Sequence, residues 1–175
     1  MTSRATFRAL PNIISSSRVL LAAGFVALPS PDTRLGLVGL AAVTDFLDGW
    51  LARRAHWTTR WGALIDPIAD RVFVLVAVST FLFTGALSTT GYFIMISRDV
   101  MTAIGFLVAR VVSWLRPVEF KARFLGKLVT VLQLVTFVCL IRFPDLVNAC
   151  LWAVGVTSAA AIIDYTLMLW RERAR

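Results

Sequence analysis

Six apolar runs, separated by short breaks rich in proline, glycine or charged residues, make up most of the chain. A helix needs about 20 apolar residues to cross a bilayer, and clusters of proline and glycine mark where such helices end. The pattern therefore predicts an all-α fold, an integral membrane bundle of six transmembrane helices that forms a single domain over residues 1–175. The predicted helices cover about 15–28, 33–54, 60–84, 90–115, 121–142 and 146–170.

Two smaller features flank the first predicted helix. Residues 1–16 carry Arg4 and Arg8 beside scattered apolar residues, a pattern typical of a short interfacial segment on the membrane surface. Pro29 and Pro31 are predicted to end helix one, because proline disrupts the hydrogen bonding of a helix interior.

The composition narrows the class of protein. Hydrophobic residues make up 58% of the 175 positions and charged residues only 16%, which is too apolar for an ordinary soluble domain. The formal net charge of +8 therefore indicates an anionic lipid surface and an anionic substrate, and not nucleic acid. Cys139 and Cys150 fall in apolar runs without metal-ligand spacing, so we expect thiols that take no part in chemistry.

Most of the 18 lysines and arginines fall at one end of the predicted helices. They cluster near the N-terminus, between helices two and three, between helices four and five, and at the C-terminus. The connections at the opposite end carry Arg34 and Arg142. Because basic residues favour the cytoplasmic side, both termini and the connection after Arg53 are predicted to face the cytoplasm from the inner or plasma membrane of the cell.

Four aspartates interrupt the second and third apolar runs. Asp45 and Asp48 are three residues apart, and Asp66 and Asp70 are four apart, so each pair projects from one face of its helix. Ionisable groups at membrane depth are costly and mark candidate functional sites. Since both pairs lie within a few turns of the basic connection 53–60, we expect them just inside the cytoplasmic boundary.

Four carboxylates facing one another would repel strongly, so either they take up protons or a cation lies between them. Oxygen ligands without a nearby cysteine or histidine pair favour a hard divalent ion, Mg²⁺ or Mn²⁺. A polar helix seam without chemistry and a cation or proton transporter are the other interpretations. The acids cluster near one side with no ionisable track to the other, which disfavours transport.

The same stretch resembles the signature of the CDP-alcohol phosphatidyltransferase family, D-x2-D-G-x2-A-R-x8-G-x3-D-x3-D. All eight fixed positions are present, and the predicted topology extends the resemblance over most of the chain. The run from Pro11 to Arg18 is similar to the P-N-x-x-[ST]-x-x-R segment of phosphatidylglycerophosphate synthases. The signature residues are Asp45, Asp48, Gly49, Ala52, Arg53, Gly62, Asp66 and Asp70.

The resemblance implies roles for these positions. The acids are implied to bind Mg²⁺ or Mn²⁺, with Asp70 acting as the general base and as a further metal ligand. The small residues are implied to accommodate the cytidine of CDP-diacylglycerol, and Arg53 to contact its diphosphate. The residues alone leave the base open among the four acids. The implied metal ligands are Asp45, Asp48, Asp66 and Asp70, and the cytidine-side residues are Gly49, Ala52 and Gly62.

Two further stretches resemble parts of the same synthases. Ser97-Arg98-Asp99 resembles an S-R-D segment that they share with eukaryotic-type cardiolipin synthases. The run from Gly126 to Gln133 resembles G-K-x-K-T-x-x-Q, with Val129 where those enzymes usually carry a second lysine. An acceptor that carries phosphate needs cationic donors, although a buried ion-pair network is the alternative interpretation of the S-R-D segment. The candidate acceptor-binding residues are Arg98, Arg110, Arg123 and Lys127.

These features predict an enzyme that transfers a phosphatidyl group from CDP-diacylglycerol to an alcohol and releases CMP, in phospholipid biosynthesis. The favoured acceptor is glycerol 3-phosphate; phosphatidylglycerol, which would give cardiolipin, is the alternative, and an inositol phosphate comes third. The resemblance also implies a homodimer. A transporter and a nucleotide-lipid-binding scaffold without turnover are the rival functions. Asp164 and Tyr165 have no predicted role, and His56 is expected to be a solvated loop residue.

Overall fold

The structure is a computed structural model built of helices. Within the described residues it contains six α-helices and one short 3₁₀ helix, and no β-strand. The chain divides into two compact units, Met1–Ala86 and Leu87–Arg175. The structure describes residues 17–55, 62–111 and 124–173, with side chains described throughout these ranges except at 48–55, 62–70, 106–111, 168–169 and 171–173.

The helices confirm the predicted all-α class. The predicted and observed helix ends agree to within three positions wherever both fall on described residues. The predicted end of helix four, at about 115, lies outside the described residues. The first unit contains α1, described at Ser17–Ala27, α2 at Pro31–Ala55 and α3 at Gly62–Phe83. The second unit contains α4 at Thr89–Val111, α5 at Phe124–Arg142, the 3₁₀ helix at Pro144–Leu146 and α6 at Val147–Arg173.

The helix ends follow local sequence signals. The hydroxyl of Ser30 accepts a hydrogen bond from the Thr33 amide at 3.2 Å, so Ser30 caps α2. Pro31 is the first residue of α2 and does not close helix one, because the first position of a helix needs no amide donor. After α3, Gly85 adopts a φ of 73°, the left-handed conformation that commonly ends a helix at glycine.

A fully buried phenylalanine forms the centre of the first unit. The Phe25 ring on α1 meets the Phe73 and Phe81 rings of α3 edge-on, at centroid distances of 5.8 and 5.6 Å. The Arg34 guanidinium of α2 lies 5.1 Å above the same ring, and its Nε donates to the Phe25 carbonyl at 3.3 Å. Arg34 also lies 6.0 Å from the Phe81 ring. The start of α2 therefore meets the end of α3, so these two helices run in opposite directions.

In the second unit, α6 packs against both α5 and α4. The short connection through Phe143 and the 3₁₀ helix makes α5 and α6 antiparallel neighbours. At that end of the hairpin the Cys139 and Cys150 sulfurs lie 3.4 Å apart, and both thiols are free. The buried core of this unit includes Leu87, Met95, Val129, Phe137, Leu151, Val154 and Ala161.

Two stretches of the described chain are long and apolar enough to cross a membrane, Phe124–Arg142 and Pro144–Leu167. Shorter apolar helices lie at Ser17–Ala27 and Arg71–Phe83. Large apolar side chains are exposed on these elements, as expected of surfaces that face lipid; examples are Leu20, Phe83, Phe124 and Trp152. The structure thus supports membrane association. The full set of six spans, the single domain and the orientation of the termini stay predictions.

Candidate active site

A buried arginine meets the first signature acid. In the first unit, Nη2 of Arg18 on α1 lies 3.4 Å from Oδ1 of Asp45 on α2, and their side chains are 3% and 49% exposed. The three-residue connection between α1 and α2 makes the two helices antiparallel, so the beginning of α1 faces the later turns of α2. Of the four signature acids, Asp45 is the one whose side chain lies within the described residues.

The other three acids lie on described helix backbone. Asp48 falls one turn after Asp45 on α2, and Asp66 and Asp70 fall in the first turns of α3. Their side chains lie outside the described residues.

The helix register relates the two pairs. Arg34 and Phe81 lie side by side; eleven residues on from Arg34 is Asp45, and eleven residues back from Phe81 is Asp70. On antiparallel helices rising 1.5 Å per residue, these two positions are both about 16 Å from the Arg34 end. The same count gives nearly equal levels for Asp48 and Asp66. Both pairs therefore belong to one end of the first unit.

The positions attributed to the nucleotide lie at the same end. Gly49, Ala52 and Arg53 are in the last turns of α2, and Gly62 is the first residue of α3. The side chains at these positions, like the connection at 56–61 with His56, lie outside the described residues.

A polar cluster occupies the second unit. Nη1 of Arg98 on α4 donates to Oδ1 of Asp99 at 3.0 Å. The Gln133 amide of α5 donates to Oδ2 of Asp99 at 3.0 Å and to the Met95 carbonyl at 2.7 Å. Arg98 is 7% exposed and Gln133 1%. The buried ion-pair network that was one interpretation of the S-R-D segment is therefore present.

The cluster is not fully satisfied. Nε of Arg98 and Oε1 of Gln133 are buried without a hydrogen-bond partner among the described residues. A buried polar group without a partner costs free energy, so Nε of Arg98 is available to donate, and Oε1 of Gln133 to accept, a hydrogen bond with a bound ligand or water.

A glycine gives the Arg98 guanidinium its space. A Cβ atom built on Gly126 of α5 would lie 2.6 Å from Nη2 of Arg98 and 3.3 Å from the Tyr165 hydroxyl of α6. Lys127, the next residue, is exposed. Two of the four predicted acceptor-binding residues, Arg98 and Lys127, thus have described side chains in the second unit: Arg98 is buried against Gly126, and Lys127 is exposed at the next position of α5. Arg110 lies on α4 with its side chain outside the described residues, and Arg123 lies outside them altogether.

Sequence reasoning assigned no function to three residues of these clusters. Tyr165 had no predicted role. Gln133 was noted only as the final residue of the stretch that resembles G-K-x-K-T-x-x-Q, and Arg18 only as the final residue of the stretch that resembles P-N-x-x-[ST]-x-x-R. A signal was present for Gln133, because an amide inside an otherwise apolar run must find a partner. Asp45, the partner of Arg18, and Gly126, the neighbour of Tyr165, lie on other helices, which periodicity along one helix does not reveal.

Comparison with known proteins agrees with the signature. The family model of CDP-alcohol phosphatidyltransferases matches residues 8–170.

Three relatives that this chain resembles carry the same name. A CDP-diacylglycerol--glycerol-3-phosphate 3-phosphatidyltransferase of Shigella flexneri serotype 5b is 30% identical over 174 residues, covering 92% of this chain and 89% of the relative. The protein of that name from Escherichia coli K12 is 29% identical over the same shares. That from Aquifex aeolicus is 35% identical over 108 residues, 58% of this chain and 61% of the relative. With a family match over nearly the whole sequence, this chain belongs to the CDP-alcohol phosphatidyltransferase family.

Proposed function

We propose that this protein transfers the phosphatidyl group of CDP-diacylglycerol to glycerol 3-phosphate and releases CMP. The observation that carries the proposal is the complete acid signature on α2 and α3, whose helix register gives the two pairs matching levels. The relatives that align over most of this chain are named for the same transfer, which supports glycerol 3-phosphate as the acceptor.

The donor chemistry of the site fits a divalent metal. Asp45 is half exposed while one of its oxygens lies beside Arg18, so the carboxylate is both oriented and accessible. Carboxylate oxygens are the ligands that Mg²⁺ and Mn²⁺ prefer. A bound divalent ion would neutralise the diphosphate and stabilise charge on the departing CMP. The residues that would hold it are Asp45, Asp48, Asp66 and Asp70.

Residues of the chain itself take up the proton and bind the diphosphate and cytidine of the substrate. Asp70 takes the proton from the acceptor hydroxyl as its oxygen attacks the lipid-side phosphorus, and the bond from that phosphorus to the CMP oxygen breaks. Arg53 contacts the diphosphate. The small residues of the signature leave room for the cytidine; these are Gly49, Ala52 and Gly62.

The acceptor phosphate is bound in the second unit. Arg98 lies against Gly126, Lys127 is the next residue of α5 and is exposed, and Arg110 and Arg123 are further candidates on α4 and just before α5 in the sequence. The Asp99 carboxylate offsets the charge of Arg98, so Lys127 supplies the net positive charge that a phosphate needs. Nε of Arg98, which has no hydrogen-bond partner among the described residues, adds a donor.

One observation favours phosphatidylglycerol as a second candidate acceptor. Val129 is fully buried in α5, at a position where the resembling synthases usually carry lysine. The missing cation suits a phosphodiester with one negative charge better than a phosphate monoester with nearly two. The product would then be cardiolipin.

Location and assembly follow from sequence features. The protein is integral to the inner or plasma membrane, with both termini and the active site on the cytoplasmic side; the distribution of basic residues supports this orientation. Membership of the family supports a homodimer.

An acceptor panel tests the function. Purified protein in detergent with Mg²⁺ and radiolabelled CDP-diacylglycerol receives glycerol 3-phosphate, phosphatidylglycerol or an inositol phosphate in turn. We expect CMP release that depends on glycerol 3-phosphate and labelled phosphatidylglycerophosphate as the product. Release that depends only on phosphatidylglycerol would replace the proposed acceptor. Binding without CMP release would indicate a scaffold, and cation flux in liposomes without CMP release would indicate a transporter.

A further inference from the structure

Arg18 is almost completely buried near the start of α1. It is 2% exposed and shares a face of α1 with Ala22 and Phe25, which are 3% and 0% exposed. The side chain therefore leaves from the packed face of the helix, not from the lipid-facing side. Burying a guanidinium is costly unless charged partners compensate. An arginine that only anchored the helix at the membrane boundary would not need to be buried, so this free-energy cost indicates another role for Arg18.

The Asp45 side chain has two different environments. Oδ1 lies 3.4 Å from Nη2 of Arg18, yet the side chain as a whole is 49% exposed. The arginine restricts the rotation of the carboxylate from one side and leaves the other side accessible. A carboxylate that binds a metal ion benefits from such a partner, because outer interactions orient the ligand and are worth 10–100-fold in metal affinity.

Helix register gives Arg18 about the same level as the second acid pair. The Phe25 ring on α1 contacts both Phe73 and Phe81 on α3, and α1 and α3 both run toward the Arg34 end of the unit. Arg18 is seven residues before Phe25, and the residues seven before the two phenylalanines are Asp66 and Val74, so Arg18 lies at a level between these two, in the range that includes Asp70. Arg18 thus belongs to the end of the unit where both acid pairs begin.

We infer that Arg18 is a positioning residue, which orients the Asp45 carboxylate for binding a divalent cation. The inference rests on the proposed function, in which Asp45 is a metal ligand. The direction in which metal affinity changes when Arg18 is neutralised tests the inference. A positive charge close to a metal site repels the metal, so charge alone predicts tighter metal binding when Arg18 is neutralised. Orientation predicts weaker binding.

The test measures the affinity of the full-length protein in detergent for Mn²⁺, from the electron paramagnetic resonance signal of free Mn²⁺. We expect Arg18→Gln to weaken Mn²⁺ binding about tenfold, within the range typical of outer interactions. We expect Asp45→Asn to weaken it as well, and Arg18→Gln to have no further effect in the Asp45→Asn background, because the arginine acts through the carboxylate. Unchanged or tighter binding by Arg18→Gln, or independent effects in the double variant, would overturn the inference.

Two further variants serve as a control for the loss of a packed arginine and as a substitute if Arg18→Gln does not fold. Arg34→Gln removes another arginine whose guanidinium packs within this unit, over Phe25 at the opposite end; we expect it to lower thermal stability and leave Mn²⁺ affinity unchanged. Should Arg18→Gln fail to fold, Arg18→Lys carries the test. It keeps the charge but lacks the planar fork, so orientation predicts an intermediate affinity and charge alone predicts the wild-type value.

The inference and the proposed function fail separately. If the wild-type protein releases CMP and Arg18→Gln binds Mn²⁺ as the wild type does, the function stands and the inference is wrong. If no acceptor supports CMP release, the function is wrong, and the Mn²⁺ titrations still decide whether Arg18 acts through Asp45.

Discussion

The guanidinium of Arg98 lies where a side chain at position 126 would begin. A Cβ atom on Gly126 would be 2.6 Å from Nη2 of Arg98, closer than non-bonded atoms normally approach. The arginine is held on its other side by Asp99 and, through Asp99, by Gln133. Its guanidinium can retreat only by giving up the contact with Asp99, so the glycine favours this arrangement.

Gly126→Ala is expected to displace Arg98 and impair the acceptor site. We expect kcat/KM for the acceptor to fall about tenfold, equivalent to about 1.4 kcal/mol, with little change in the KM for CDP-diacylglycerol. The matched control is Gly155→Ala on α6, where the new Cβ would make an ordinary contact of 3.5 Å with Ile94. Equal acceptor kinetics in the two variants would show that the Arg98 position is unimportant for the acceptor.

Lys127→Ala is expected to raise the KM for the acceptor with a smaller effect on kcat. Lys127 is exposed next to Gly126, and it supplies a charge that Asp99 does not offset. Lys127→Arg should retain most of the affinity, since it keeps the charge. Steady-state kinetics with varied glycerol 3-phosphate measure both; an unchanged KM in Lys127→Ala would remove this residue from the acceptor site.

Asp70→Asn is expected to lower kcat by about 10²–10⁴, the range that general acid–base catalysis contributes. The amide is close in shape to the carboxylate but does not accept the proton of the acceptor hydroxyl. Binding of CDP-diacylglycerol should be largely retained, and an equilibrium binding assay checks this. Normal turnover in the variant would exclude Asp70 as the base.

Gln133→Leu is expected to destabilise the protein by about 1–3 kcal/mol. The amide of this 1% exposed residue donates to both the Met95 carbonyl and the Asp99 carboxylate, and removing a buried donor leaves its partners poorly satisfied. Ser158→Ala is the control, because the buried Ser158 hydroxyl has no hydrogen-bond partner among the described residues. Denaturant unfolding in detergent should separate the two; similar losses would argue against the Gln133 hydrogen bonds.

Oxidation is expected to join Cys139 to Cys150. Their sulfurs are 3.4 Å apart at one end of the α5–α6 hairpin, so a small movement brings them to the bonding distance of about 2 Å. Treatment with copper phenanthroline and dioxygen should form a disulfide. Mass spectrometry should then show the loss of two hydrogens, and neither thiol should react with a maleimide. In the control variant Cys150→Ser, the thiol of Cys139 should stay reactive after the same treatment. Two thiols that stay reactive under these conditions would contradict the packing of α5 on α6.

Much of the helical framework could be predicted from the chain, because apolar runs and their breaks determine where helices form. The predicted span of 33–54 is α2 at Pro31–Ala55, and the predicted span of 121–142 is α5 at Phe124–Arg142. Pro31 shows the limit of this reasoning. It was expected to end a helix, but behind the Ser30 cap it begins one.

The partners of the polar residues could not be predicted. Spacing along one helix groups Asp45 with Asp48, but it does not show that Arg18, on a different helix, lies beside Asp45. Likewise the S-R-D motif contains Arg98 and Asp99, while Gly126 and Tyr165 come from two other helices. Such relationships depend on how helices pack, which a pattern of apolar residues leaves undetermined.

Two tryptophans on α6 have a consequence for the lipid that surrounds the protein. Trp152 and Trp170 are 76% and 70% exposed, and they are eighteen positions apart, which makes five helical turns, so both indoles emerge on one side of α6. Trp152 lies eight residues into the apolar stretch Pro144–Leu167, and Trp170 lies three residues beyond its end. Because indoles prefer the membrane interface, we expect Trp170 to anchor that end of α6 at the interface and Trp152 to lie against the acyl chains of the lipid.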